Sequence, residues 1–352
     1  MFFPNAEVMV NPLLLILLGV IVGTLGGFFG VGGGFLITAG LLVFGVPTIF
    51  AVGTGMALIL GSSIINLLKH RHLGNVDYRL AGLTILGTVP ALFLAKALNS
   101  KLEATGAIGP VIGYLYVALL VFLGLFIIYD YWKTRRWSDQ SGEAVSTGAL
   151  AQRLYAWRIP PHSISFPGLG RVSMYASLPA SQIESIHVLI PITIGFAVGF
   201  LSGLLGAGGG FIMLPVMIFV IGIPTTVAVG TGLLQIIVTG VVGTALYSLS
   251  NNVDLLMAVI MLAAASAGSQ LGAAATASVG AGRIRFLFGV TVLSGGVSVA
   301  LKQVAGSLPN LEYLNTLASV VLLGVSGAMA IFIGVLLLRA KLRARASSES
   351  NG

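Results

Sequence analysis

Two long stretches of this chain carry no Asp, Glu, Lys or Arg: Val8 to Leu68 and Ser185 to Val253. A membrane-spanning helix needs about 20 consecutive apolar residues, so each stretch has room for about three. Only 8% of the 352 residues are charged and 57% are hydrophobic, against about 25% charged in ordinary soluble domains. These numbers dictate an all-α polytopic membrane protein. A transmembrane β-barrel is excluded, because barrel strands alternate apolar and polar residues over about 10-residue segments. No polar cleavage region follows the first apolar run, so it reads as a membrane segment and not as a removed signal peptide.

Each uncharged run interrupts itself. The first contains Gly26-Gly27-Phe28-Phe29-Gly30-Val31-Gly32-Gly33-Gly34-Phe35, and the second contains Gly203-Leu204-Leu205-Gly206-Ala207-Gly208-Gly209-Gly210-Phe211. Glycine costs a helix about 1 kcal/mol relative to alanine, so three in a row predict a helix break. The offset between the two is 176 residues and becomes 177 further on. Gly45-Val46-Pro47 aligns with Gly222-Ile223-Pro224, Ala51-Val52-Gly53-Thr54-Gly55 with Ala228-Val229-Gly230-Thr231-Gly232, and Gly74-Asn75-Val76-Asp77 with Asn251-Asn252-Val253-Asp254. A repeat of this length points to a transporter built from two related halves.

Helices are expected over residues 12–28, 34–45, 48–68, 79–98 and 107–132 in the first half, and 255–279 and 286–301 complete the second. Residues 313–338 have no counterpart and read as an added C-terminal helix. The organisation is therefore 1–132 as first repeat, 133–185 as a cytoplasmic linker loop rich in Arg, Ser, Gly and Pro, 186–303 as second repeat, and 304–352 as extra helix and basic tail. The net charge of +8 sits in short clusters beside apolar runs. That is the signature of positive-inside topology and not of nucleic-acid binding. The linker, the Lys69 cluster, Arg283/Arg285 and the Arg339 tail all fit one cytoplasmic side if each broken stretch returns to the side it entered from. Each repeat then crosses an odd number of times, and the two repeats are inverted. Lys96, Lys101 and Lys302 fall on the outer side in this topology.

Three groups of residues could carry chemistry. Successive glycine N–H groups make an anion-binding concavity, and a helix starting just after it adds the positive end of its dipole. This singles out Gly32, Gly33, Gly34, Gly208, Gly209 and Gly210. Thr54, Ser62, Asn66 and His70 are spaced by multiples of four residues, near one helix face. Thr231 and Thr239 align with Thr54 and Ser62, and Gln235 adds an amide. Polar groups inside membrane helices face the bundle interior or a water path, although Ser and Thr also serve helix packing. Asp77 and Asp254 stand where N-terminal caps belong. With His70 they are the candidates for coupling. There is no cysteine and no nucleotide-binding Gly-Lys-Ser/Thr motif. No catalytic residue, metal site or cofactor is expected.

The doubled glycine motif, in the first repeat Gly27-Phe28-Phe29-Gly30-Val31-Gly32-Gly33-Gly34-Phe35-Leu36 with Ala51-Val52-Gly53-Thr54 and Gly74-Asn75-Val76-Asp77, resembles the TauE/SafE sulfite exporter family. The resemblance implies a permease of the bacterial inner membrane that moves sulfite, sulfoacetate or a related organosulfonate outward. The chain departs from the family where proline follows the glycines. Pro215 is kept, but Ala39 holds the aligned place, and the 133–185 linker is long. The expected partners are a small anionic substrate and membrane lipid, with a homodimer left open. The alternatives are an importer or exchanger of another anion such as a carboxylate, and a membrane scaffold or sensor using the linker as its partner site.

Overall fold

The structure is a computed structural model that describes residues 1–70, 76–141, 163–166, 170–276, 281–307 and 313–349. Eleven helices carry the described chain: α1 Pro12–Phe29, α2 Gly34–Val43, α3 Thr48–His70, α4 Tyr78–Ala104, α5 Ile108–Ser141, α6 Leu189–Leu205, α7 Gly210–Pro215, α8 Thr225–Ser248, α9 Leu255–Thr276, α10 Ala281–Ser307 and α11 Tyr313–Glu349. Eight of them are long and apolar enough to cross a membrane. This is an all-α, multi-pass membrane protein. Four helices outrun their sequence expectation by five residues or more: α4 continues to Ala104, α5 to Ser141, into the segment read as loop, α10 spans Ala281–Ser307, and α11 continues through the basic tail.

Both breaks fall at the glycines. Asn11 caps α1 by accepting the Leu13 amide, with Pro12 at the first position. The helix ends at Gly30, left-handed at φ 69°, whose N–H bonds Gly26 O at 2.9 Å. Helix α2 then runs back along α1. A Cβ at Gly33 would lie 2.5 Å from Val22 Cγ1, and one at Gly40 would lie 2.3 Å from Leu18 Cδ2. Moving forward in α2 is moving backward in α1, so the chain reverses at the break. In the second half Gly209 packs on Val198, the counterpart of Val22. The six-residue α7 passes into a π-helical turn, Val216–Ile221, closed by Gly222 N–H bonding Met217 O five residues back. A π turn holds one residue more than the α turn it replaces. It lies where the repeat offset changes from 176 to 177, so the inserted residue is absorbed there.

Helix contacts come in exchanged pairs. Helix α1 packs on α9 and its counterpart α6 on α4, while α3 crosses α8 and α5 lies along α10. Small residues allow the close approach. Gly23 and Gly272 touch the α9 and α1 backbones, and Gly195 and Gly87 do the same between α6 and α4. Helix α11 covers α10, α1, α9 and α2 from outside.

Short β-hairpins precede both halves. Strands β1 (Phe2–Phe3) and β2 (Val8–Met9) pair before α1. In the linker, β3 (Ser163–Phe166) pairs with β4 (Gly170–Ser173), and β5 (Tyr175–Leu178) with β6 (Ile183–His187) before α6. Asn5 Nδ2 donates to Val253 O at 3.2 Å, just ahead of α9. Ser181, at the same 176-residue offset, donates from Oγ to Asp77 Oδ2 at 2.6 Å, just ahead of α4. Arg79 Nη1 adds a bond to Ser177 O at 3.2 Å. Each half is thus tied to the other through the turn of its own hairpin.

Candidate functional site

The two glycine breaks lie back to back in the buried centre. Gly32 and Gly33 sit at φ 71° and 72°, and Gly208 and Gly209 at 69° and 76°. A Cβ at Gly34 would lie 2.2 Å from Ala207 O, and one at Gly210 would lie 2.7 Å from Val31 O. The rings of Phe35 and Phe211 are 5.3 Å apart. Ile59 of α3 and Ile236 of α8, aligned in the repeat, press on both breaks.

Consecutive left-handed glycines turn their amides to one side. Among the hydrogen bonds of the described residues, none is donated by the N–H of Gly32, Gly33, Gly34 or Phe35, nor by Gly208, Gly209, Gly210 or Phe211. All eight residues are buried. Unpaired buried donors are costly, and here they gather at the starts of α2 and α7, within two uncharged runs.

Around this centre the polar stripe divides. Ser62 Oγ donates to Gly32 O at 3.1 Å, which ties α3 to the first break. Asn66 Oδ1 accepts from Ser269 Oγ, and its Nδ2 has no partner among the described residues. Gln235 Nε2 donates to Thr88 Oγ1 and Thr239 Oγ1, both at 3.2 Å, and its Oε1 is unpaired. Thr54 and Thr231 sit elsewhere: their hydroxyls accept the amides of Asp254 and Asp77, each at 3.0 Å. Asp77 caps α4 by accepting from Arg79 and Leu80. Asp254 accepts from Met257 through Oδ1, and its buried Oδ2 is unpaired. His70 ends α3; its side chain, and Gly74 and Asn75 of the aligned motif, lie outside the described residues.

The structure adds residues that the four-residue spacing passed over. Ser63 Oγ is buried and unpaired, 2.7 Å from where a Cβ at Gly32 would stand. Ser202 Oγ is buried and unpaired beside Gly209. Ser63 is one residue off the stripe, and Ser202 aligns with Gly26, a glycine-to-serine change that is the one sequence signal able to find it. The last carbonyls of α6 are also held from four sides. Asn99 Nδ2 donates to Leu204 O at 3.0 Å, Tyr247 Oη to Gly203 O at 2.9 Å, Tyr116 Oη to Leu205 O at 3.2 Å and Thr38 Oγ1 to Gly206 O at 2.9 Å.

Comparison with known proteins agrees with this architecture. The family model described as "Sulfite exporter TauE/SafE" matches residues 15–299. The chain is 26% identical over 273 residues to a probable membrane transporter protein, YunE, of Bacillus subtilis, covering 74% of this chain and 87% of that one. It is 27% identical over 258 residues to a probable membrane transporter protein of Xylella fastidiosa, covering 72% and 80%. A probable membrane transporter protein of Methanocaldococcus jannaschii is 27% identical over 210 residues, covering 58% and 60%. No solved structure matches the chain. The matched span takes in both glycine breaks and the helices that pack on them, and the chain belongs to the TauE/SafE sulfite exporter family.

Proposed function

We propose that this protein is a secondary transporter exporting a small sulfur-containing oxyanion, sulfite, sulfoacetate or a related organosulfonate, across the bacterial inner membrane. One observation carries the reading: buried, unpaired amides run from Gly32 to Phe35 and from Gly208 to Phe211, at two half-helix starts where Gly34 lies against Ala207 and Gly210 against Val31. An oxyanion supplies the acceptors these donors lack, and two helix dipoles favour its charge. Ser62, bonded to Gly32 O, adds side-chain polarity at the first break, Asn66, Gln235 and Thr239 are read as further polar groups of the site, and Thr54 and Thr231 hold the starts of α9 and α4.

The two halves are read as inverted repeats. The exchanged contacts and the chain reversal at the first break support that reading, which brings the basic clusters of the linker, the Lys69 segment, Arg283/Arg285 and the tail to one side. The 133–185 linker and the C-terminal tail are then cytoplasmic. Alternating access follows from rocking one half against the other about the paired breaks. The membrane potential favours anion exit by about 2.3 kcal/mol per charge per 100 mV.

The test is a thermal-shift screen of the purified chain against sulfite, sulfoacetate, taurine, sulfate and lactate. Stabilisation by sulfite or an organosulfonate is expected, rising with concentration as binding linkage requires. Stabilisation by lactate alone would move the assignment to a carboxylate transporter, and no response to any of them would remove it.

A further inference from the structure

The exchanged contacts make each half a control for the other, and among the described buried Asp, Glu, Lys and Arg residues, where Asp77 matches Asp254, Lys96 alone breaks the match. Lys96 of α4 is 8% exposed. Its Nζ donates to Asn252 Oδ1 at 2.9 Å and lies 4.6 Å from the centroid of the Tyr247 ring. Among the described residues no carboxylate pairs with it. Glu103, two turns further along the same helix, is exposed and acts on it only at longer range. A buried lysine within a membrane helix is costly and marks an ion path or a structural need.

The aligned half tells these two apart. Asn99, one turn from Lys96, donates to Leu204 O at 3.0 Å, and its counterpart Thr276 donates to the counterpart carbonyl, Phe28 O, also at 3.0 Å. One bond of the bracket at the end of the first helix is therefore kept in both halves. The residue aligned with Lys96 is Ala273. Helix and bond form around an alanine there, so neither of them demands the charge. Lys96 also adjoins the second break. Its neighbour Ala95 packs on Gly203, and Tyr247 Oη bonds Gly203 O at 2.9 Å, at the end of α6 three residues before Gly206.

We propose that Lys96 is an anion-contacting residue: a fixed cation, held by Asn252 and the face of Tyr247, that receives the oxyanion on the side of the N-terminal hairpin. This rests on the anion-transport reading above and adds an asymmetric station to a central site built from two matching breaks. Asn5 bonds Val253, next to Asn252, which places the station at that end of the molecule. In the proposed orientation this is the outer, release side.

The experiment is isothermal titration of purified full-length protein with each anion of the screen, at low salt and at graded sodium chloride. The variants are Lys96→Gln, Lys96→Ala and Lys96→Arg. For the anion bound by the wild type, Lys96→Gln and Lys96→Ala should weaken binding about tenfold, as loss of a charge-assisted hydrogen bond does. Their remaining affinity should depend less on salt. Lys96→Arg should stay within about threefold. Unchanged affinity in monodisperse Lys96→Gln overturns the proposal and leaves the transport reading standing. Failure of both Lys96→Gln and Lys96→Ala to fold also overturns it, because the charge then serves the architecture. A wild type that binds no anion of the screen removes the transport reading and this inference together.

Discussion

The two glycine breaks share a backbone and differ in how they are held. Both place two successive glycines near φ 70° and leave a run of amides unpaired. The second is bolted down: Asn99, Tyr247, Tyr116 and Thr38, from four helices, occupy the carbonyls of Gly203 to Gly206. Among the described residues the first is held by two, Thr276 on Phe28 O and Ser62 on Gly32 O. The segments that follow differ too. Helix α2 is regular over ten residues, whereas α7 gives way after Pro215 to a π turn. What both halves keep is the donor geometry, and what diverges is the bracing. That pattern fits a shared anion contact made by backbone, with one half fixed and the other freer to move.

The largest difference expected from this comparison is in stability. Asn99→Ala leaves the Leu204 carbonyl and the Tyr247 hydroxyl short of partners, and should cost about 3 kcal/mol. Thr276→Val, its counterpart, should cost about 1 kcal/mol. Denaturation in detergent measures both, and equal costs would erase the asymmetry. Next come the central glycines. Gly34→Ala drives a methyl against the rigid Ala207 carbonyl at 2.2 Å, and should cost about 3 kcal/mol. In Gly210→Ala the closest atom is the mobile Ile236 Cδ1, with Val31 O at 2.7 Å, and the cost should be about 1 kcal/mol less. The same unfolding assay ranks them, and the reverse order would mean that the two breaks yield differently from what their neighbours imply.

The smallest effect is on stability and the most informative on binding. Ser63→Ala and Ser202→Ala remove unpaired buried hydroxyls, so stability should change by less than about 0.5 kcal/mol. If those hydroxyls serve the anion, affinity should fall about fivefold in each. A loss in one only would say which half the anion leans on.

Much of the fold was legible because membrane helices announce themselves by length and lack of charge. The triple glycines located both breaks, and the one-residue change of offset contained the π turn without naming it. The hairpins were not legible, since Phe2–Phe3 and Val8–Met9 are too short to show alternation. Of the polar residues, Ser62 was legible by spacing and does meet the first break. Thr54 and Thr231 share that periodicity but bond the starts of α9 and α4, because a period names a helix face and not its neighbour. Asn99 and Tyr247 were missed because their roles exist only where α4, α6 and α8 come together.

The central claim is that the two breaks form one anion site and not two. Counting radiolabelled sulfite bound to purified protein tests it most directly, in the wild type and in monodisperse Gly33→Leu and Gly209→Leu. One anion per wild-type chain and none in either variant is expected, since a side chain at φ 72° or 76° distorts its own turn and closes on Val22 or Ser202. Two anions per wild-type chain, with each variant keeping one, would contradict it.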